Sequence, residues 1–296
     1  MMTTCTNPQP LDFGTSNPRT FKVCTFLVNV LSHMYDQWVK AGKPKPDQFK
    51  WQPVNACPVT SDFKVTDYAF FGKLIWSTFT WLGSKRTEPF GGIFKSNADN
   101  SLYLIFRGSK TFADFCVDAE AGLEPYKAPI TPVPSDTRVE QGWYKVYIGL
   151  RDTLLTQLSQ IGTAQPLTIT GHSLGSALAT LAVPDAVAKG FQVHHYNSAS
   201  PRVGNEQFRM YYDSLKVTSS GSLKETYRLV NTADTVPNFP GPPLHPWYVH
   251  VGTEVSFNAD YGAEEKTHNP CCSYAYAIYN PDKPCNPTFD ACNVPK

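Results

Sequence analysis

Ser173 lies at the centre of Gly171-His172-Ser173-Leu174-Gly175, with a glycine two residues to either side. A serine hydroxyl is a weak nucleophile until it is exposed, strained and set beside a base. A sharp turn from a strand into a helix supplies exposure and strain, and glycines give the crossing backbone room. Leu174 then stands at the helix N-terminus, where backbone N–H groups lack a helical acceptor and can meet an oxyanion. Gly-X-Ser-X-Gly also occurs in ordinary loops, so its flanks decide. Leu167, Ile169 and the threonines around them form a short run rich in β-branched residues, which reads as a buried strand. Ser176–Ala182 reads as a helix with small residues on its packing side.

A nucleophilic serine needs a base, and the base needs an orienting acid. On a turn of this kind the acid and then the histidine follow the serine along the chain. The acids after Ser173 include Asp185, Asp213, Asp234 and Asp260. Active-site residues of open α/β sheets gather at the carboxyl ends of strands. Asp234 fits that place, just beyond Tyr227-Arg228-Leu229-Val230; the rival reading is a turn-stabilising aspartate before Thr-Val-Pro. Three histidines follow it: His245, His250 and His268.

The whole chain bounds these readings. Its 296 residues carry 26 Lys and Arg against 25 Asp and Glu, a formal charge of +1. That balance gives no reason to expect nucleic acid or an anionic membrane as main partner. Charged residues make up 17% and aromatics 13%, the composition of a folded chain with a large apolar surface to bury. No run of 18 apolar residues is present, so no transmembrane segment is expected. Eight cysteines, four of them in the last 26 residues, point to disulfides and an oxidising compartment. The first twenty residues have neither the basic nor the apolar region of a secretory signal, so localisation stays unknown between secretion and an intracellular place. Without a Cys-x-x-Cys spacing, zinc is a poor alternative. No metal or organic cofactor is expected.

Along the chain, residues 1–20 read as an irregular lead-in and Phe21–Val39 as a helix stopped near Gly42 and Pro44. Pro44–Pro58 reads as a surface loop. Asp67–Leu82 reads as either a buried helix or two strands. Gly92–Lys95 and Leu102–Phe106 form a hairpin, Gly122–Thr137 a loop, and Tyr144–Ile161 a helix. Gln192–Tyr196, Thr226–Asn231 and Tyr248–Phe257 read as strands, and Cys272–Tyr279 as a short helix. Strands alternating with helices imply an α/β sheet in a single domain spanning 1–296. It carries an unassigned extension over about 1–65 and a cysteine-rich tail over about 281–296.

Several segments, in order, resemble the fungal-type (class 3) lipases of the α/β-hydrolase fold. They are Phe106-Arg107-Gly108-Ser109, Gly171–Ala179, Ser200-Pro201-Arg202-Val203-Gly204-Asn205, Asn231–Pro237 and His250-Val251-Gly252-Thr253-Glu254. The resemblance covers roughly residues 90–280. It implies a central, mostly parallel sheet flanked by helices, with a lid over the active site. It also implies Ser173 as nucleophile, Asp234 as triad acid, and the Leu174 N–H and Ser109 as oxyanion donors. His268 becomes the base, because the family's histidine before Gly-x-Glu is structural and the catalytic one comes later. The lid is expected over Lys110–Ala121, with Phe112, Phe115 and Val117 as its apolar side. Arg107 reads as structural, since a neutral ester needs no anion-binding cation.

The expected function is a serine ester hydrolase working through an acyl-enzyme, foremost a lipase on acylglycerol esters at a lipid–water interface. The alternatives are a phospholipase A1 or an aryl or short-chain carboxylesterase. A non-catalytic binding protein on a hydrolase fold is the reading from another class. The tail is expected to close a Cys285–Cys292 loop, with Cys271 or Cys272 tying down the loop of His268.

Overall fold

The computed structural model describes residues 5–57, 62–81, 83–109 and 122–289. Among these, eight strands form the main sheet in the order β1-β12-β10-β8-β7-β4-β3-β2. In chain order they are β1 (Thr6–Gln9), β2 (Tyr68–Trp81), β3 (Ser84–Ser96), β4 (Leu102–Phe106), β7 (Leu167–His172), β8 (Gln192–Ser198), β10 (Ser222–Asn231) and β12 (Thr253–Asp260). From β4 through β7, β8 and β10 to β12 every pairing is parallel, and the antiparallel strands lie at the two margins. A second, small antiparallel sheet joins β5 (Leu123–Pro125), β6 (Arg138–Glu140), β9 (Gly204–Asn205) and β11 (Tyr248–Val249).

Side chains of a strand alternate between faces, and β4 shows how both faces are filled. Leu104 joins the core built by helix α2 (Gln141–Ile161) and helix α3 (Leu174–Ala188), whereas Ile105 joins a cluster with helix α1 (Pro18–Lys40). α1 begins where the Asn17 side chain accepts the N–H groups of Arg19 and Thr20 at 2.9 and 3.4 Å, with Pro18 as first residue. Phe26, Leu27, Val30 and Leu31 of α1 are buried with Leu74, Phe94 and Ile105. The segment read as an unassigned extension thus supplies one covering layer of the sheet.

Several expected elements differ. The lead-in contains β1, which pairs antiparallel with β12 at the sheet margin. Asp67–Leu82 is neither a helix nor two strands but one strand, β2, whose register with β3 shifts around Gly72–Ile75. Tyr248–Phe257 is not continuous: it breaks between Val249 and Thr253, where Gly252 takes φ +76°. The 200–221 connection contains an unforeseen helix, α4 (Glu206–Ser214). Cys285 pairs with Cys5 rather than Cys292, and Cys271 pairs with Cys57. The expected lid over Lys110–Ala121, with Phe112, Phe115 and Val117, lies outside the described residues. Among the described residues no helix is long and apolar enough to cross a membrane.

Candidate active site

Ser173 joins β7 to α3 with φ 58° and ψ −129°, a backbone state that costs a non-glycine residue about 1–3 kcal/mol. The glycines of the turn allow it. A Cβ on Gly171 would stand 2.2 Å from the Gly175 carbonyl carbon, and one on Gly175 would stand 2.4 Å from the Phe106 carbonyl oxygen. The start of α3 therefore rests directly on the backbone at the ends of β4 and β7. Leu174 opens that helix, so its N–H has no intrahelical acceptor.

Asp234 follows the end of β10 and is 1% exposed. Its Oδ1 accepts the Val236 N–H at 2.9 Å. Its Oδ2 accepts the His268 Nδ1–H at 2.8 Å and the Tyr274 hydroxyl at 2.6 Å. Burial alone would raise this carboxyl. The charge and hydrogen bond of His268, with the bonds from Tyr274 and Val236, outweigh burial and hold it below the usual carboxylate range. Burial and the adjacent Asp234 charge push the Tyr274 phenol well above its ordinary value, so it remains a donor.

His268 comes at the end of a short helical turn, α5 (Glu264–Thr267), and just before a π-helical turn, Pro270–Ala275. α5 is held to the Asp234 loop because Glu264 Oε1 accepts both the N–H and the hydroxyl of Thr235 at 2.8 Å. With Nδ1–H committed to Asp234, Nε2 carries the lone pair of the ring. Ser173, His268, His172 and Ser109 line one cavity of about 610 Å³. Its far wall includes Asn29, Ser32 and His33 of α1 and the disulfide partners Cys57 and Cys271. The Ser109 hydroxyl is buried and has no hydrogen-bond partner among the described residues. A neighbouring cavity of about 620 Å³ reaches Ser109 and Leu174 from the side of Trp38, Phe79 and Phe90.

The other candidate residues lie elsewhere or do other work. Arg107 is buried, donating to Pro89 O at 2.7 Å, Gly108 O at 2.9 Å and Glu88 at 3.0 Å, with its guanidinium over Tyr35 and Phe90. His250 donates Nε2–H to Pro237 O at 2.8 Å. Burial, then Arg228 and Arg202, pushes it down to about 3, and it is absent from the Ser173 cavity lining, as is His245. Sequence reading missed Tyr274. It lies in Cys271-Cys272-Ser273-Tyr274, where only a tyrosine six positions past a candidate base could have raised the question. His172 was in plain view inside the glycine motif, but its partners are set by tertiary structure.

The Lipase (class 3) family model matches residues 103–243. Over that span the chain is similar to the class 3 lipases. Its α/β-hydrolase fold agrees with a solved structure of a lipase from Rhizopus microsporus var. chinensis, at TM-score 0.57 and 25% identity over 86% of this chain and 82% of that one. The secreted mono- and diacylglycerol lipase A of Penicillium cyclopium is 31% identical over 175 residues, 58% of this chain and 52% of that protein. A rice (Oryza sativa subsp. japonica) phospholipase A1-II 3 is 30% identical over 185 residues, 53% of this chain and 42% of that protein. The chain thus spans about half the length of these two relatives.

Proposed function

We propose that this chain is a serine ester hydrolase that cleaves acylglycerol esters through an acyl-enzyme. The observation that carries the reading is the Asp234 Oδ2 to His268 Nδ1 bond of 2.8 Å, with His268 lining the same cavity as a strained Ser173. Ser173 Oγ attacks the ester carbonyl while His268 Nε2 takes its proton. Asp234 fixes the tautomer and stabilises the imidazolium. The oxyanion of the tetrahedral intermediate is met by the Leu174 N–H and the Ser109 hydroxyl, whose unpartnered state suits a donor awaiting substrate. The protonated His268 gives its proton to the departing alcohol. Water then attacks the acyl group with the roles reversed.

The relatives' names divide between acylglycerol and phospholipid substrates, and the acylglycerol reading comes first because a Penicillium enzyme so named aligns over the larger share of this chain. The phospholipase A1 reading follows from the rice relative. Secretion is the matching compartment, given the Cys5–Cys285 and Cys57–Cys271 bridges and a relative named as secreted. The test is release of fatty acid from diolein, triolein and phosphatidylcholine by the wild type and by Ser173→Ala. The wild type is expected to hydrolyse a glyceride, and the folded variant to retain less than about a thousandth of that turnover. Hydrolysis of phosphatidylcholine alone selects the phospholipase reading, and an active Ser173→Ala protein rejects the nucleophile.

A further inference from the structure

His172 stands immediately before Ser173 and is 4% exposed, yet its ring is directed at the loop that carries His268. Its Nε2 lies 2.9 Å from the His268 carbonyl oxygen and its Nδ1 lies 3.1 Å from the Ser198 hydroxyl. A carbonyl only accepts, so Nε2 carries the hydrogen and Nδ1 takes the Ser198 proton. The two imidazoles are 4.7 Å apart between centroids at a tilt of 39°, and the Tyr274 ring meets His172 edge-on at 5.2 Å.

We propose that His172 is a positioning residue, tying the backbone of the catalytic base to the turn that presents the nucleophile. The inference rests on the serine hydrolase reading given above. The Asp234 bond fixes one point of the His268 ring. The His172 Nε2–H bond fixes the main chain of the same residue, 96 positions away in sequence. The base is then held at its ring by Asp234 and at its backbone by His172. Because the second point is the residue next to the nucleophile, it sets the base relative to Ser173 itself. The two bonds together need a donor at Nε2 and an acceptor at Nδ1, which only the neutral ring provides. Burial first, and the His268 charge second, push His172 down to about 3, so the ring stays neutral while His268 works. A displacement of about 1 Å in a catalytic group can cost about a hundredfold in rate.

The test compares His172→Phe and His172→Gln with the wild type on a water-soluble p-nitrophenyl ester and on a fluorophosphonate probe. Phenylalanine keeps a ring against Tyr274 and loses the donor; the glutamine amide nitrogen can replace Nε2–H. The expected result for His172→Phe is a kcat lowered by about 10- to 100-fold, KM within about twofold, and probe labelling slowed by the same factor as kcat. His172→Gln should recover at least about fivefold of that loss. Unchanged kcat in a folded His172→Phe protein overturns the proposal, as does a loss confined to KM or a glutamine variant no better than phenylalanine. If the variants fail to fold, nitrogen-15 spectra of the wild type decide: a neutral His172 with its proton on Nε2 supports the proposal, and a proton on Nδ1 overturns it. Wild-type labelling at Ser173 tests the underlying serine hydrolase reading separately.

Discussion

The Ser109 hydroxyl is a buried donor with no partner among the described residues. Buried polar groups are paired in the great majority of cases, and an exception needs a reason. Asp234 shows the contrast, since its carboxylate is bonded by Val236, His268 and Tyr274 from inside the fold. In the proposed reaction the missing partner of Ser109 is the oxyanion, present only during turnover. Ser109→Ala is therefore expected to lower kcat by about 10²-fold while KM changes little, measured on a soluble ester. A change confined to KM would assign Ser109 to binding instead. At this scale the sequence was legible wherever the geometry is local. Ser173 and its glycines were readable because a strand, a turn and a helix are contiguous. Tyr274 was not, because its meaning is a contact across 40 positions to Asp234.

The elements that carry the site were read well where periodicity is unambiguous and poorly where both faces are apolar. β7 and α3 follow their patterns. β2 carries Phe70, Phe71, Trp76 and Phe79 with its register shifting on the way, so neither a two-residue nor a helical period stands out. The Tyr248–Phe257 run looked continuous because its break is one left-handed glycine, Gly252. Disulfide pairing was illegible for a different reason: connectivity is set by the fold and not by spacing. Cys57–Cys271 joins the segment after α1 to a residue three positions beyond His268, and both cysteines line the Ser173 cavity. The bridge closes a loop with a sequence separation of 214, so the chain-entropy model gives it a stabilisation of several kcal/mol, with about 2–4 typical. Cys57→Ser/Cys271→Ser is expected to lower Tm by roughly 4–15 °C in a calorimetric scan. Its kcat should fall at temperatures where circular dichroism still reports a folded chain, because the His268 loop loosens first. Unchanged kcat up to the melting transition would show that Asp234 and α5 hold the loop unaided.

The whole molecule keeps three histidines away from protons. His172 lies beside Ser173, His195 is buried with its Nδ1 against the Tyr212 hydroxyl, and His250 bonds to Pro237 between β11 and β12. Burial is the first cause in each case and pushes each down to about 3. A histidine in an unfolded chain binds its proton below about pH 6.5. Between that value and about 3 the unfolded chain therefore binds more protons than the folded one, so stability must fall as pH falls. It is fully present above about pH 6.5 and lost progressively below. Near pH 5 each histidine contributes about one proton, giving a combined slope of roughly 4 kcal/mol per pH unit. Asp234 adds to the loss only at lower pH, because its carboxyl is held below the usual range and must be forced to protonate. The measurement is the urea midpoint from pH 8 to pH 4, in a buffer that leaves the disulfides intact. The expected curve is flat near pH 8 and steep by pH 5. His195→Gln, at a residue outside the lining of the Ser173 cavity, should lower that slope by about a third. A midpoint that stays constant down to pH 4 would mean that these three rings are protonated inside the fold, and the neutral His172 invoked above would fall with it.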